Sequence, residues 1–156
     1  MALTLNGIAQ GYITDRVTQL LRNGGLDRAL VDMGEIRGLN QNVAGTPWQV
    51  GLANPGHTEQ VFETVQIVNW APFHVQRIRN ASGCRRPPYP YLRPENRLEP
   101  AALLQCSVMA PTATMADALS TAFSNMDLVD ARSLTQSQGI QAWFILPDGS
   151  KTALGA

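Results

Sequence analysis

The chain has little charge, few cysteines and a single lysine, Lys151. Only 15% of its 156 residues are charged, and Lys+Arg equals Asp+Glu at 12 each, so the formal net charge is zero. A neutral chain gives no general reason to expect nucleic acid or an anionic membrane as a partner. No apolar run reaches the ~18 residues that a membrane-spanning helix needs, so we expect no transmembrane segment.

Cysteine and histidine are also scarce. The two cysteines, Cys84 and Cys106, do not make a disulfide framework and therefore indicate no compartment. His57 and His74 have no cysteine or second histidine at ligand spacing, which argues against a zinc site. No basic segment precedes the first predicted strand, residues 3–5, so we expect no export signal in this sequence.

Arginine and proline, by contrast, are concentrated in one stretch. Six of the eleven arginines lie within residues 77–97, and six of the ten prolines lie within residues 72–100. Proline removes backbone donors and interrupts both helices and strand ladders, so we expect residues from about 70 to 106 to be irregular. Tyr89 and Tyr91 are the aromatic residues of the arginine-rich part, too few to favour nucleic-acid binding.

Outside that stretch, strands and helices mix in both orders, which predicts an α+β fold with a mixed or antiparallel sheet and packed helices. We predict strands at residues 3–5, 29–33, 48–52, 64–68, 141–146 and 151–154. The first helix is predicted to bury Ile13, Val17, Leu20 and Leu21 and to end at Gly24–Gly25. A helix after Pro111 is predicted to bury Met115, Leu119, Ala122, Phe123 and Met126, and a shorter helix to follow near residues 129–134.

A glycine-containing turn, residues 6–11, joins the first predicted strand to the first helix. Glycine lets the backbone approach a phosphate closely, and the start of a helix favours anions. The turn lacks the spacing of a dinucleotide-binding fingerprint, so tight packing is the competing interpretation.

Two polar residues on the helix after Pro111 form a candidate metal site. Asp117 and Thr121 are four residues apart, so their oxygens lie on one helix face, flanked by Thr114 and Ser120. A carboxylate with a hydroxyl suits Mg²⁺, which takes few protein ligands and completes its shell with substrate phosphates. The competing interpretation is a solvated helix face.

Four blocks of the sequence match, in order, the motifs of one family. Residues 3–16 are similar to L-D-L-G-G-I-A-K-G-Y-x-x-D-R, residues 29–38 to A-L-V-N-x-G-G-D-I-R-A, residues 48–55 to W-x-V-G-I-x-x-P, and residues 110–122 to A-P-T-A-x-x-A-D-A-L-A-T-A. In these blocks the chain resembles the C-terminal part of the ApbE flavin transferases. The resemblance leaves out residues 70–106 and implies one incomplete domain over residues 1–156, without the family's N-terminal part.

The resemblance implies an activity, which is Mg²⁺-dependent transfer of FMN from FAD to a threonine of an acceptor protein. It implies that the Gly7 backbone, Asp117 and Thr121 hold Mg²⁺ against the FAD diphosphate, and that Thr4 and Gln10 contact the flavin nucleotide. The family has an aspartate at the position of Thr4 and a lysine or glutamate at that of Gln10, so both contacts have lost charge. The family also implies a periplasmic or inner-membrane-associated location.

The irregular stretch lacks two further family motifs, an S-T-S-G-like segment and H-I-x-D-P-x-T-G. Allowed codons for residues 73–106 can be chosen so that a frame shifted by one nucleotide reads both motifs, as S-T-S-S-G and H-I-F-D-P-K-T-G. The match depends on codon choice; for example, Pro94 followed by a glutamate codon gives proline in the shifted frame when the third base of the Pro94 codon is C. A frame error is therefore one hypothesis, and a genuine Pro/Arg-rich insertion is the other. A chain without these motifs also suggests an alternative function, a degenerate flavin-nucleotide-binding fragment without turnover.

Overall fold

Three helices and eight strands form in the part of the chain that the computed structural model describes, residues 4–55, 57–76 and 103–155. The helices are α1 (Ala9–Asn23), α2 (Ala113–Phe123) and α3 (Leu128–Gln138). The strands are β1 (Ala29–Asp32), β2 (Ile36–Leu39), β3 (Trp48–Asn54), β4 (His57–Ile67), β5 (Ala71–Gln76), β6 (Gln105–Ala110), β7 (Gln141–Ile145) and β8 (Lys151–Leu154). Every strand pair is antiparallel, and the predicted α+β class is confirmed.

The largest sheet has the order β5-β6-β7-β8, so the strand that contains Pro72 lies at its edge. Pro72 pairs opposite Met109 in β6. An edge strand tolerates a residue without an N–H because only one of its sides joins the ladder. The irregular stretch predicted for residues 70–106 is therefore too long at both ends, since β5 and the first residues of β6 are regular strand. Residues 77–102, which include Cys84, lie outside the described residues.

Strand β6 is buried at all six positions because both faces of the sheet are covered. On one face Cys106, Val108 and Ala110 join Phe144 of β7 and Phe123 of α2 in the larger hydrophobic cluster. On the other face Met109 and Trp143 pack with the β3–β4 hairpin. Gln105 Nε2 ties that hairpin to the sheet by donating to the Ala53 carbonyl at 3.0 Å. Helices and a hairpin thus enclose the sheet.

Helix α2 packs on the sheet largely as its sequence predicts. The Phe123 side chain is fully buried, and Met115, Leu119 and Met126 are half-buried against the same cluster. Thr112 caps the helix by accepting a hydrogen bond from the Met115 N–H at 3.1 Å. The sheet therefore fixes one face of α2 and leaves the opposite face for α1.

Helix α1 corrects the sequence prediction. Ile13 and Leu20, predicted to be buried, are 52% and 67% exposed, and the buried residues are Gly11, Thr14 and Thr18. Close approach to α2, and not hydrophobicity, therefore decides which residues of α1 are buried. The Thr14 hydroxyl tolerates burial because it donates to the Gln10 carbonyl within the same helix at 3.1 Å.

Two local predictions near the site also differ from the structure. Thr4 and Leu5 are not in a strand, and Leu3 lies outside the described residues. Strand β2 was not predicted; it follows a turn in which Gly34 has a φ of +89° and pairs with β1. This hairpin brings Glu35 and Arg37 to the side of α1 and α2. None of the helices in the described residues is long and apolar enough to cross a membrane.

Candidate functional site

The site lies where the turn before α1, and α1 itself, run antiparallel along α2. Gly7 lies against Thr121, Gly11 against Asp117, and Asp15 against the first turn of α2. Each step of four residues forward along the α1 segment moves the contact four residues back along α2. Because residues four apart share a face of a helix, this contact aligns the predicted metal ligands in one row.

Gly11 allows the two helices to approach closely. A Cβ atom at this position would lie 2.3 Å from the Ala113 carbonyl oxygen and 2.8 Å from the Asp117 Cβ, so no other residue fits without movement. The Gly11 N–H donates to Asp117 Oδ2 at 3.0 Å. If the helix began one residue earlier, this N–H would donate to the Gly7 carbonyl. Because α1 begins at Ala9, the N–H has no partner within the helix and binds the Asp117 carboxylate instead.

Thr121 faces the other close glycine. A Cβ atom on Gly7 would lie 3.0 Å from Thr121 Cγ2 and 3.3 Å from its Oγ1. The Thr121 Oγ1 is buried and has no hydrogen-bond partner among the described residues. A buried hydroxyl without a partner is costly, so this oxygen is poised to bind a ligand.

A cavity of about 320 Å³ opens between residues 4–8 and the face of α2 that carries Ala118, Thr121 and Ala122. Its volume is at the lower end of that of small-molecule pockets, which begin at about 300 Å³. Thr121 is thus one wall of the cavity, and the turn around Gly7 is the opposite wall.

Asp117 is 3% exposed, which contradicts the interpretation of this helix face as solvated. Burial raises the pKa of its carboxyl group, and the hydrogen bond from the Gly11 N–H acts in the opposite direction. Within the described residues, its hydrogen bond runs through Oδ2, and Oδ1 has no partner. One carboxylate oxygen therefore remains for a cation.

Glu35, which the sequence prediction missed, is a second buried acid near Asp117. It is 6% exposed, and its pKa is raised to about 8, first by burial and then by the negative charges of Asp117 and Asp32. In the described ranges, no three His, Cys, Asp or Glu side chains converge as a metal cluster would require. Glu35 therefore keeps its proton near neutral pH in the metal-free protein, and a cation nearby would favour its ionised form. The only signal in the sequence was its place in the second family-like block.

The five predicted residues occupy two different environments. Thr4, Gly7 and Thr121 line the cavity, and Asp117 lies one helical turn from Thr121. Gln10 points instead to the β1–β2 turn, where its Nε2 donates to the Met33 carbonyl at 3.4 Å. The structure therefore brings four of the five together. The flavin contacts predicted for Thr4 and Gln10 stay predictions.

The available oxygens fit Mg²⁺. The Thr121 hydroxyl and the Asp117 carboxylate are hard oxygen donors, and the Gly7 backbone lies beside the hydroxyl. Mg²⁺ uses few protein ligands and retains positions for water and phosphate, so a site with one carboxylate is sufficient.

The sequence of this chain matches a known protein family over most of its length. The sequence model of the ApbE family matches residues 1–144. The chain belongs to the ApbE family. The FAD:protein FMN transferase of Escherichia coli (strain K12) is 25% identical over 155 residues, which cover 93% of this chain and 42% of that protein. The FAD:protein FMN transferase of Treponema pallidum (strain Nichols) is 29% identical over 171 residues, which cover 95% of this chain and 44% of that protein.

Solved structures of this family have the same fold. The ApbE protein of Thermotoga maritima matches with a TM-score of 0.83 and 23% identity, over 97% of this chain and 51% of that chain. The apo form of the Pseudomonas stutzeri flavinyl transferase ApbE matches with a TM-score of 0.75 and 25% identity, over 97% of this chain and 47% of that chain. The chain spans less than half the length of the curated relatives described above.

Proposed function

We propose that this ApbE-family chain contributes the metal- and diphosphate-binding half of an FAD:protein FMN transferase. In the proposed reaction, the hydroxyl oxygen of an acceptor threonine attacks the FMN phosphorus of the FAD diphosphate. An O–P bond forms to threonine, the P–O bond to AMP breaks, and the threonine proton is released. FAD is the substrate and the acceptor protein is the partner.

The observation that carries this proposal is the buried, unpartnered Thr121 Oγ1 at the wall of the cavity, one turn from Asp117. The Gly7 turn supplies backbone close to that hydroxyl, because the missing side chain lets Gly7 and Thr121 approach closely. These residues would hold Mg²⁺, which when bound supplies charge neutralisation for the reacting diphosphate.

The buried acids give the site a preference for a positive charge. Asp117 is 3% and Glu35 is 6% exposed, and neither forms an ion pair among the described residues. A diphosphate alone would meet repulsion from the ionised Asp117 carboxylate, whereas a diphosphate with a divalent cation would not. We therefore infer that FAD binds together with the metal.

The test is a labelling reaction with FAD, Mg²⁺ and an acceptor protein that carries the target threonine. We expect an acceptor that gains the mass of FMN, and no gain when EDTA replaces Mg²⁺. An acceptor that stays unlabelled in the presence of Mg²⁺ would rule out transfer by this chain.

The matched variants are Thr121→Val and Thr121→Ser. Valine has the shape of threonine without the hydroxyl, so T121V should weaken Mg²⁺-dependent FAD binding about tenfold or more, while serine retains the oxygen and most of the affinity. Because the buried hydroxyl has no partner in the metal-free protein, T121V should not lower the free energy of unfolding and should raise it by up to about 1–3 kcal/mol. Calorimetric titration of FAD with and without Mg²⁺ measures the first effect, and urea denaturation measures the second. Equal affinity of T121V and the parent would contradict the proposed metal role.

The second candidate function is Mg²⁺-dependent flavin-nucleotide binding without turnover. It is favoured by the absence of an H-x-x-D-P-x-T-G motif from the printed sequence and by the orientation of Gln10 towards Met33. FAD binding that requires Asp117, without label on any acceptor, would support it over transfer. A periplasmic or inner-membrane-associated location is part of the same family-based proposal.

A further inference from the structure

We propose that Asp15 is a positioning residue that fixes the register of α2 against α1 and thereby places Asp117 and Thr121 at the cavity. The inference concerns the site of the proposed function and rests on it for the identity of the ligand. Asp15 lies on α1, away from the cavity, and makes its contacts at the start of α2.

The Asp15 carboxylate accepts three hydrogen bonds from α2. Its Oδ1 accepts from the Ala113 N–H at 3.0 Å, and its Oδ2 accepts from the Thr114 N–H at 2.8 Å and from Thr114 Oγ1 at 2.6 Å. Free backbone N–H groups occur only in the first turn of a helix. A carboxylate at position 15 can therefore be satisfied in only one register.

Asp117 makes the reciprocal contact. Helix α1 has no side-chain cap of its own at Ile8, and the Gly11 N–H of its first turn donates to Asp117 Oδ2. Each helix thus supplies an aspartate that binds the free N–H groups of the other. We call this arrangement the reciprocal cap, formed by Asp15 with Ala113–Thr114 and by Asp117 with Gly11.

Arg37 supports the Asp15 end of the reciprocal cap. Its Nη1 lies 3.6 Å from Asp15 Oδ1 and donates to the Pro111 carbonyl, just before α2 begins. The side chains of Arg37 and Asp15 are 14% and 20% exposed, so the pair is only weakly screened by solvent. Strand β2 is thereby joined to the same point on α2.

The reciprocal cap adds a hydrogen-bond constraint on the register to the steric constraint that Gly11 imposes. The helix contact repeats every four residues, so a slip of one turn would set Asp117 or Asn125, in place of Thr121, opposite Gly7. Thr112 already caps α2 through the Met115 N–H, so the helix has a start without Asp15. What Asp15 adds is the position of that start relative to α1.

The experiment compares Asp15→Ala and Asp15→Asn with the control Asp127→Ala. Asp127 caps α3 by accepting from the Val129 and Asp130 N–H groups at 3.0 and 2.9 Å, and α3 carries none of the proposed ligands. The D127A variant therefore removes an equivalent helix cap at a distance from the site. Two readouts are compared: hydrogen exchange at the Gly11 amide and Mg²⁺-dependent FAD affinity.

We expect D15A to accelerate exchange at the Gly11 amide and to weaken Mg²⁺-dependent FAD binding, each about tenfold or more. D15N keeps one side-chain oxygen, so it should change both the exchange rate of the Gly11 amide and the FAD affinity less than D15A does. D127A should change neither. If D15A fails to fold, Thr114→Val tests the same contact more gently, because it removes only the 2.6 Å bond to Asp15.

Two results would overturn the inference. One is unchanged Gly11 exchange in D15A, or in T114V where D15A does not fold, and the other is an equal effect of D15A and D127A, which would make Asp15 an ordinary cap. A parent protein that binds no FAD with Mg²⁺ would contradict the proposed function instead. The Gly11 amide would then still decide the role of Asp15, since that readout requires no ligand.

Discussion

Helix α2 has two packed faces of opposite chemical character. Towards the sheet it presents Ala116 and Phe123, which join the larger hydrophobic cluster. Towards α1 it presents Asp117, which meets the backbone of Gly11. The first face gains its stability from apolar burial, whereas the second is held by hydrogen bonds and close approach. The difference indicates that one face maintains the fold and the other maintains the site.

The largest expected effect on stability is at the apolar face. Phe123 is fully buried and lies 5.9 Å from Phe144 between ring centroids, so Phe123→Ala should lower the free energy of unfolding by about 3–5 kcal/mol. Urea denaturation measures the change. The control Val129→Ala removes an apolar side chain that is 78% exposed and should cost less than about 0.5 kcal/mol. A similar loss in both variants would show that the apolar face is not what maintains the fold.

The next largest effect is at the face towards α1. Gly11→Ala places a methyl group 2.3 Å from the Ala113 carbonyl, so the helices must separate, at a cost of about 1–3 kcal/mol. The Gly11–Asp117 hydrogen bond should lengthen as they separate, and FAD affinity should fall by a larger factor than in F123A. Gly24→Ala is the control at the C-cap of the same helix, because its Cβ would lie an ordinary 3.4 Å from the Leu21 carbonyl oxygen. G11A with parental FAD affinity would contradict this division of roles.

The smallest effect concerns charge at the same face. The folded chain holds Glu35 with a pKa of about 8, against 4.5 for the ordinary group, so between these pH values it keeps a proton that the unfolded chain has released. The stability of the metal-free protein should therefore fall as pH rises from about 4.5 to 8. Glu35→Gln removes this dependence and should gain about 1 kcal/mol or more on the parent between pH 5 and pH 8.

Thermal melts at several pH values, without divalent cations, measure the Glu35 effect. Glu59→Gln is the matched control, since the Glu59 side chain is 74% exposed and lies at the β3–β4 hairpin. The control should follow the parent at every pH. An E35Q variant whose stability declines with pH as steeply as that of the parent would show that Glu35 is not the titrating group.

The same division explains how far the sequence predicted the structure. The strand over residues 151–154 was predicted correctly, and so was the apolar face of α2 apart from Ala122, which lines the cavity. Alternation and helical spacing report burial in an apolar environment. Helix α1 was predicted at nearly the right position but with the wrong face. Its buried side is made of Gly11, Thr14 and Thr18, which carry no hydrophobic signal.

The candidate site was predicted in part for a similar reason. Spacing placed Asp117 and Thr121 on one face of a helix, and the family resemblance added Gly7. Neither approach revealed Asp15, because its partners Ala113 and Thr114 are 98 and 99 residues away along the chain. Glu35 was missed because burial beside Asp117 depends on a hairpin whose second strand was not predicted. Contacts between distant segments leave no periodic pattern in a sequence.

The reciprocal cap also has a consequence for the order of folding. Its hydrogen bonds join residues 98 to 106 positions apart, so the first and last thirds of the chain must meet before either helix start is complete. Such long-range contacts form late and slowly. A chain still emerging during synthesis would therefore lack the proposed cation site. Since the entropy of closing a loop grows only with the logarithm of its length, segments inserted between β5 and β6 should change this timing little.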